Sequence, residues 1–261
     1  SSMNNAALIT GASSGIGREL AILHAKAGGD VVIVARRQDE LERLKQELET
    51  LYSIQVLVVV QDLASAHAAQ EIFQMVDSQG IQIEYLVNNA GFGGYGLFYE
   101  RDLVKDEAMI QVNILVLTQL TRLFLPKMVE RRAGRILNIA SVAAYLPGPF
   151  QAVYYASKAY VLSFSQAIAE ELRGTGVTVT AFCPGPVETG FAKVANAEHA
   201  PAFREMAQAT QVAQVGYRAM MQGELVAFHQ LRHKYLLEWM LPFIPRSWVL
   251  RISRRMMEKL R

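Results

Sequence analysis

The chain carries one cysteine, Cys183, in 261 residues. That excludes an intramolecular disulfide and fits a reducing compartment. No uninterrupted apolar run approaches the roughly 20 residues of a membrane-spanning helix. The first residues lack a basic segment followed by an apolar one, so no signal peptide is expected and the expected location is cytoplasmic. Net charge is scarce too. A formal +2 singles out no polyanionic partner such as nucleic acid. His24, His67, His199, His229 and His233 are scattered without metal-ligand spacing, so no metal site is expected. No serine-hydrolase elbow is expected either. Repeats, low-complexity tracts and linkers are missing. Ser1 and Ser2, ahead of Met3, read as an expression remnant, which leaves 3–261 as a single domain.

What is present is a large apolar fraction, 51% of residues, enough for a sizeable core. It is distributed as alternating strands and helices. The organising stretch is Gly11-Ala12-Ser13-Ser14-Gly15-Ile16-Gly17, which follows the apolar run 6–9 and precedes a helical pattern of Ile16, Leu20 and Leu23. Strand, glycine-rich turn and helix start make a geometry that binds a dinucleotide pyrophosphate. Glycines permit the tight turn, and the helix start offers free N–H groups and a positive dipole end. Further strands are expected at 31–35, 56–60, 85–87, 135–140, 177–182 and 225–228. Helices are expected at 39–51, 64–78, 104–131 with a break near Pro126, and 151–173. Residues 191–223 read as helical and irregular. The alternation predicts an α/β, Rossmann-type, doubly wound parallel sheet of about seven strands with helices on both faces.

In such a sheet ligands lie beyond the carboxyl ends of the strands. Gly11, Arg36, Asp62, Asn89, Ser141 and Gly185 fall after six successive strands. The second strand ends in Ala35-Arg36-Arg37, with no acid before Asp39. A carboxylate there would bind the 2′-hydroxyl of NAD, whereas guanidinium groups suit a 2′-phosphate. A charge-assisted hydrogen bond contributes about 1.5–3 kcal/mol. NADP(H) is therefore the expected cofactor, with more weight on Arg36 than on Arg37. Tyr154 and Lys158 stand four apart and share a helix face. A tyrosine with pKa near 10 needs tuning to exchange protons near neutrality, and a neighbouring ammonium would lower it at about 1.4 kcal/mol per unit. Cys183 reads as a small buried hydrophobe.

Taken in order, Thr10-Gly-x-x-x-Gly-x-Gly, Asn88-Asn89-Ala90-Gly91, Asn113, Ser141, Tyr154-x-x-x-Lys158 and Pro184-Gly185 resemble the short-chain dehydrogenase/reductase family, in its compact branch. The resemblance covers residues 6 to about 190. It implies that Tyr154 is the general acid/base, that Lys158 holds the nicotinamide ribose and lowers the tyrosine pKa, that Ser141 orients the substrate oxygen, and that Asn113 anchors a water-linked proton path. It implies cofactor contacts at Gly11, Ser13, Ser14, Gly15, Ile16, Gly17, Arg36, Arg37, Asp62, Leu63, Asn89, Ala90, Gly91, Tyr154, Lys158, Pro184, Gly185, Val187 and Thr189. For Asp62 and Asn113 a plainer reading stays open: one caps a helix start, the other satisfies backbone groups. The expected activity is hydride transfer between NADP(H) and a hydrophobic carbonyl or secondary alcohol. Phe92, Tyr95, Phe98, Tyr145, Phe150, Phe191, Phe203 and Met206 are the expected walls. A catalytically silent redox sensor is the alternative, although it would need none of Ser141, Tyr154 and Lys158. A nucleotide-sugar epimerase fits poorly.

The last stretch, 232–261, carries net +6, which leaves the rest of the chain near −4. Aromatic and aliphatic residues are interleaved with the basic ones, and Pro242 and Pro245 divide the stretch into a short helix, a turn and a final basic helix. Two readings fit. In the preferred one the aromatics close the cleft or join subunits of a homo-oligomer, dimer or tetramer. In the other the tail lies on an anionic membrane, making the chain a peripheral-membrane reductase of lipid-like ketones.

Overall fold

The computed structural model describes residues 2–188 and 207–258. Its centre is a parallel seven-stranded sheet. The strands are β1 (Ala6–Thr10), β2 (Val31–Ala35), β3 (Val56–Val60), β4 (Ile83–Asn88), β5 (Gly134–Ile139), β6 (Val177–Cys183) and β9 (Val226–Phe228). Their order is β3-β2-β1-β4-β5-β6-β9, and every neighbouring pair is parallel. Two short strands, β7 (Val187–Glu188) and β8 (Ala207–Gln208), pair apart from the sheet. β1 and β2 are buried along their whole length, as expected of strands covered on both faces.

Helices α1 (Gly15–Lys26), α2 (Gln38–Tyr52) and α7 (Ala209–Gln222) belong to one face, where their Leu20, Leu44 and Val212 join Ile9 and Ile33 in one apolar core. Helices α3 (Ala68–Ser78) and α5 (Leu117–Arg131) supply Ile72, Leu120 and Phe124 to the core of the other face, with Leu8 and Val34. Helix α6 (Ala152–Glu171) packs beside β6 on that side. The chain runs outward from β1 in both directions, so the order reverses between β1 and β4. In doubly wound sheets ligands bind beyond the carboxyl ends of the strands at such a reversal.

Two expectations change in ways that bear on the site. Helix α3 starts at Ala68 rather than 64, because Asp62 closes a turn first: its Oδ1 accepts from the Ala64 N–H at 3.0 Å and its carbonyl from Ser65. The long helix does not break at Pro126. Pro126 sits inside α5 on its exposed side, where water can serve the carbonyl it leaves unpaired. The irregularity lies earlier, as a π-helical stretch (Gln111–Val116) between α4 (Leu103–Ile110) and α5. The tail forms α8 (Leu231–Lys234), a wide turn through Met240 and a final α9 (Arg246–Met257).

Candidate active site

The β1–α1 turn is built for close approach. Gly11 and Gly15 have positive φ, +64° and +57°. A Cβ on Gly17 would lie 2.3 Å from the Gly11 carbonyl oxygen, so any other residue would push helix from turn. The end of β4 holds this turn. Thr10 Oγ1 accepts from the N–H groups of Asn89 and Ala90, at 3.1 and 3.0 Å. The Asn89 amide donates back to the carbonyls of Thr10 and Gly11, both at 3.2 Å. Ser14 precedes α1 in extended conformation, without a side-chain cap, and no acid occupies the first turn. Among the described residues the leading N–H groups of α1 have no side-chain acceptor and the first turn no carboxylate, which fits a pyrophosphate.

Arg36 and Arg37 are exposed beyond β2, and Arg37 reaches across to donate to Ser13 Oγ at 3.4 Å. Arg37, rather than the favoured Arg36, thus leans on the glycine turn. Gly11 to Gly15 does spell Gly-x-Ser-x-Gly, contrary to expectation, but no histidine is bonded to Ser13 among the described residues. Asp62 is exposed and capping its own turn, while the adjacent Leu63 is buried.

Ser141 follows β5, and α6 carries Tyr154 and Lys158 beside it. Ser141 Oγ accepts from the Ala143 N–H at 3.0 Å and also hydrogen-bonds the Tyr154 hydroxyl. Lys158 is buried, donates to the Ile139 carbonyl at 2.9 Å, and lies 5.8 Å from the centre of the Tyr154 ring. Burial pushes the Tyr154 phenol up to about 12, against the pull of Ser141. Burial also draws the Lys158 ammonium down to about 8, with Cys183 acting in the opposite sense. Burial is the main influence on the Tyr154 phenol, and the hydrogen bond with Ser141, rather than Lys158, is what opposes it.

Asn113 sits within the π-helical stretch and is buried. Its amide brackets Phe92, accepting from the N–H at 3.1 Å and donating to the carbonyl at 3.0 Å, and also donates to Ser157 Oγ at 3.1 Å. The side chain does satisfy backbone groups, but those of Phe92 in the loop after β4 and not those of a helix, as the plainer reading had it. Gly91 lies against it: a Cβ there would stand 3.2 Å from Asn113 Oδ1 and 3.4 Å from Lys158 Nζ. Pro184 is buried and its carbonyl accepts from the Val142 N–H, so β6 and β5 loops meet beside Ser141. Cys183 is buried, and burial raises its thiol to about 12, which suits a hydrophobe and not a nucleophile.

Tyr95 and Phe150 stack, with centroids 5.6 Å apart, and Phe98 shares a depression with Tyr154. Tyr145 packs on Phe228 and donates to Glu238 at 3.3 Å. Thr189, Phe191, Phe203 and Met206 lie outside the described residues.

Sequence reasoning missed two supports of this site. Arg101 pairs with the buried Asp106 at 2.7 Å and also donates to the Tyr95 carbonyl, which braces the loop after β4. Helix α9 clasps the start of α6: Ser253 donates to the Pro147 carbonyl at 2.7 Å, Tyr95 to the Met257 carbonyl, and Gln151 and Tyr155 to Met257 Sδ. The basic, amphipathic character of the tail was a signal for a helix, but nothing in it named these partners.

The family model for short chain dehydrogenases matches residues 5–200. A human very-long-chain 3-oxoacyl-CoA reductase is 36% identical over 195 residues, covering 72% of this chain and 61% of that protein. Sulfoacetaldehyde reductase 2 of Chromohalobacter salexigens is 37% identical over 194 residues, 74% of this chain and 76% of that one. A short-chain dehydrogenase from Sphingobium yanoikuyae, solved in complex with NADPH, superposes with a TM-score of 0.84 at 29% identity, over 90% and 91% of the two chains. With the motif residues gathered at one sheet edge and the match covering most of its length, the chain belongs to the short-chain dehydrogenase/reductase family.

Proposed function

We propose that this oxidoreductase reduces hydrophobic carbonyl compounds with NADPH, and oxidises the alcohols in reverse. The observation that carries the reading is the bonded Ser141–Tyr154 pair with Lys158 buried behind it. The nicotinamide supplies the hydride, and the protein supplies position and charge. Ser141 and Tyr154 present hydroxyls to one oxygen, where negative charge grows as the carbonyl is reduced. Burial keeps the Tyr154 phenol in its protonated, donating form at neutral pH, although a pKa raised to about 12 makes it a weaker acid than a free tyrosine. Lys158 and the uncapped start of α1 suit a ribose and a pyrophosphate. Exposed Arg36 and Arg37, with no acid at the tip of β2, support the 2′-phosphate form.

The aromatic pairs Tyr95–Phe150 and Tyr145–Phe228 support an apolar substrate, and ketones, acyl chains or steroid-like rings would all suit them. The substrates named for the relatives range from very-long-chain acyl thioesters to a small sulfonated aldehyde, so the walls carry this choice. We further propose a cytoplasmic homo-oligomer. Leu115, in the π-helical stretch, and Tyr160, on the neighbouring α6, are exposed and offer apolar surface to a second copy.

The test is NADPH consumption with a panel of long-chain 3-oxoacyl thioesters, bulky ketones and small aldehydes, using wild type and Tyr154→Phe. Turnover with an apolar member is expected. Tyr154→Phe should lose about a hundredfold or more in kcat while keeping NADPH affinity. Near wild-type kcat in the variant would overturn the assignment, and a protein that binds NADPH but turns over nothing would favour the redox-sensor alternative.

A further inference from the structure

Residues 231–258 leave large apolar side chains uncovered: Tyr235, Trp239, Phe243, Trp248 and Ile252 are each more than half exposed, Phe243 at 85%. In α9 the buried stripe is Val249, Ser253 and Met257. Trp248, Ile252 and Met256 form a second stripe beside it at the same spacing of four, and this one is open to solvent. Arg251 and Arg255 lie next to that stripe on the far side from the core. Before α9, Leu231, Tyr235 and Trp239 repeat the pattern. Basic side chains are interleaved throughout. The stretch carries six Arg or Lys against two Glu, and one of these, Glu238, is turned inward to Tyr145.

We propose that this face docks on an anionic lipid surface, with the aromatics in the headgroup boundary and the arginines at the phosphates. Helices that lie in an interface pair an apolar stripe with flanking Arg or Lys and place Trp and Tyr at headgroup level. Charge selects lipid over a second copy of the chain. A two-fold contact would set this basic patch against itself, whereas an anionic leaflet complements it. The docked face adjoins the cleft on two sides. His233 packs on Gly185, and Ser253 holds the loop at Pro147. An apolar substrate could then pass from bilayer to cleft without crossing water. The docking itself does not depend on the proposed activity, since it needs neither substrate nor cofactor.

The experiment is flotation of the full chain with phosphatidylcholine vesicles, with or without about one third phosphatidylglycerol, at low and high salt. Two double variants accompany it, Trp239→Ser/Phe243→Ser and Arg251→Glu/Arg255→Glu, all at exposed positions and none among the catalytic groups. Thermal unfolding and gel filtration confirm that each is folded. Binding to the anionic vesicles is expected to weaken strongly with salt, and each double variant should cost about tenfold or more in apparent affinity. No flotation on anionic vesicles at low salt would overturn the proposal. So would flotation that neither variant weakens, or a dimer that Trp239→Ser/Phe243→Ser splits while wild type fails to float.

Discussion

Lys158 shows most directly what the site costs the fold. Its ammonium is buried, and burial holds its pKa at about 8, well below the usual 10.5. Keeping it protonated in the folded state below pH 8 costs about 3 kcal/mol by linkage. Its hydrogen bond to the Ile139 carbonyl returns about 1–2 kcal/mol. Lys158→Met is therefore expected to stabilise the chain by roughly 1–2 kcal/mol at pH 7 and to abolish turnover. The sign of the pH dependence follows from the lowered pKa. Between about pH 8 and 10.5 the unfolded lysine holds a proton that the folded one has released. Wild-type stability then rises with pH, and the variant's advantage fades over that window. Urea unfolding of both proteins at pH 7 and pH 10 checks this, and an advantage that grew with pH would contradict it.

Among the elements, two helices take roles that their sequences alone leave open. The stretch Leu103–Arg131 is long and apolar enough to cross a membrane by length and composition. Here Leu120, Phe124 and Met128 are buried in the core against the sheet, and Asn113 is used to hold the loop after β4. Helix α9 carries the opposite composition, yet its C-terminal turn is structural: Met257 is buried and meets Gln151 and Tyr155 at the start of α6. Tyr154 lies between those two residues in sequence. Met257→Ala should therefore do more than lower stability by about 2 kcal/mol. It should also lower kcat on the best substrate several-fold, because the helix start that aims Tyr154 loses its support. Calorimetry and steady-state kinetics on the same preparation separate the two effects. Loss of stability with unchanged kcat would make α9 a mere cover.

For the whole molecule, ligand binding and stability are linked at the carboxyl edge of the sheet. A ligand that binds only the folded chain adds about 2.7 kcal/mol at a hundred times its Kd. For a domain of this size that shifts Tm by about 5 °C or more. NADPH is expected to produce such a shift, and NADH at equal concentration a smaller one. Arg36→Ala/Arg37→Ala should bring the NADPH shift down to that of NADH, while leaving the Tm of the free protein nearly unchanged, since both arginines are exposed. Differential scanning fluorimetry across cofactor concentrations gives the answer. Equal shifts in wild type would refute the NADP(H) preference. An undiminished NADPH shift in the variant would move the 2′-phosphate contact elsewhere.

Local chemistry was enough to read the alternation of strands and helices, because a buried parallel strand needs a short β-branched run and its covering helix needs one apolar face. It also placed Gly11, Arg36, Asp62, Asn89, Ser141 and Gly185 at one edge, because strand ends follow from strand runs, whereas Tyr154 and Lys158, on a helix, joined them only through the family resemblance. Only the tertiary structure decided what those groups feel. A pKa depends on distance and solvent in three dimensions, so the spacing of Tyr154 and Lys158 suggested attraction where burial prevails. Asn113 was legible as a position, but its bracket on Phe92 spans 21 residues of chain. His24 shows the same limit at greater range: it is buried, and it bonds Tyr217, 193 residues away, at 3.0 Å. The tail's charge and aromatics were plain in the sequence. Which of its stripes met the core and which remained for a surface was settled only when α9 found α6, since a periodic pattern specifies a face but not what covers it.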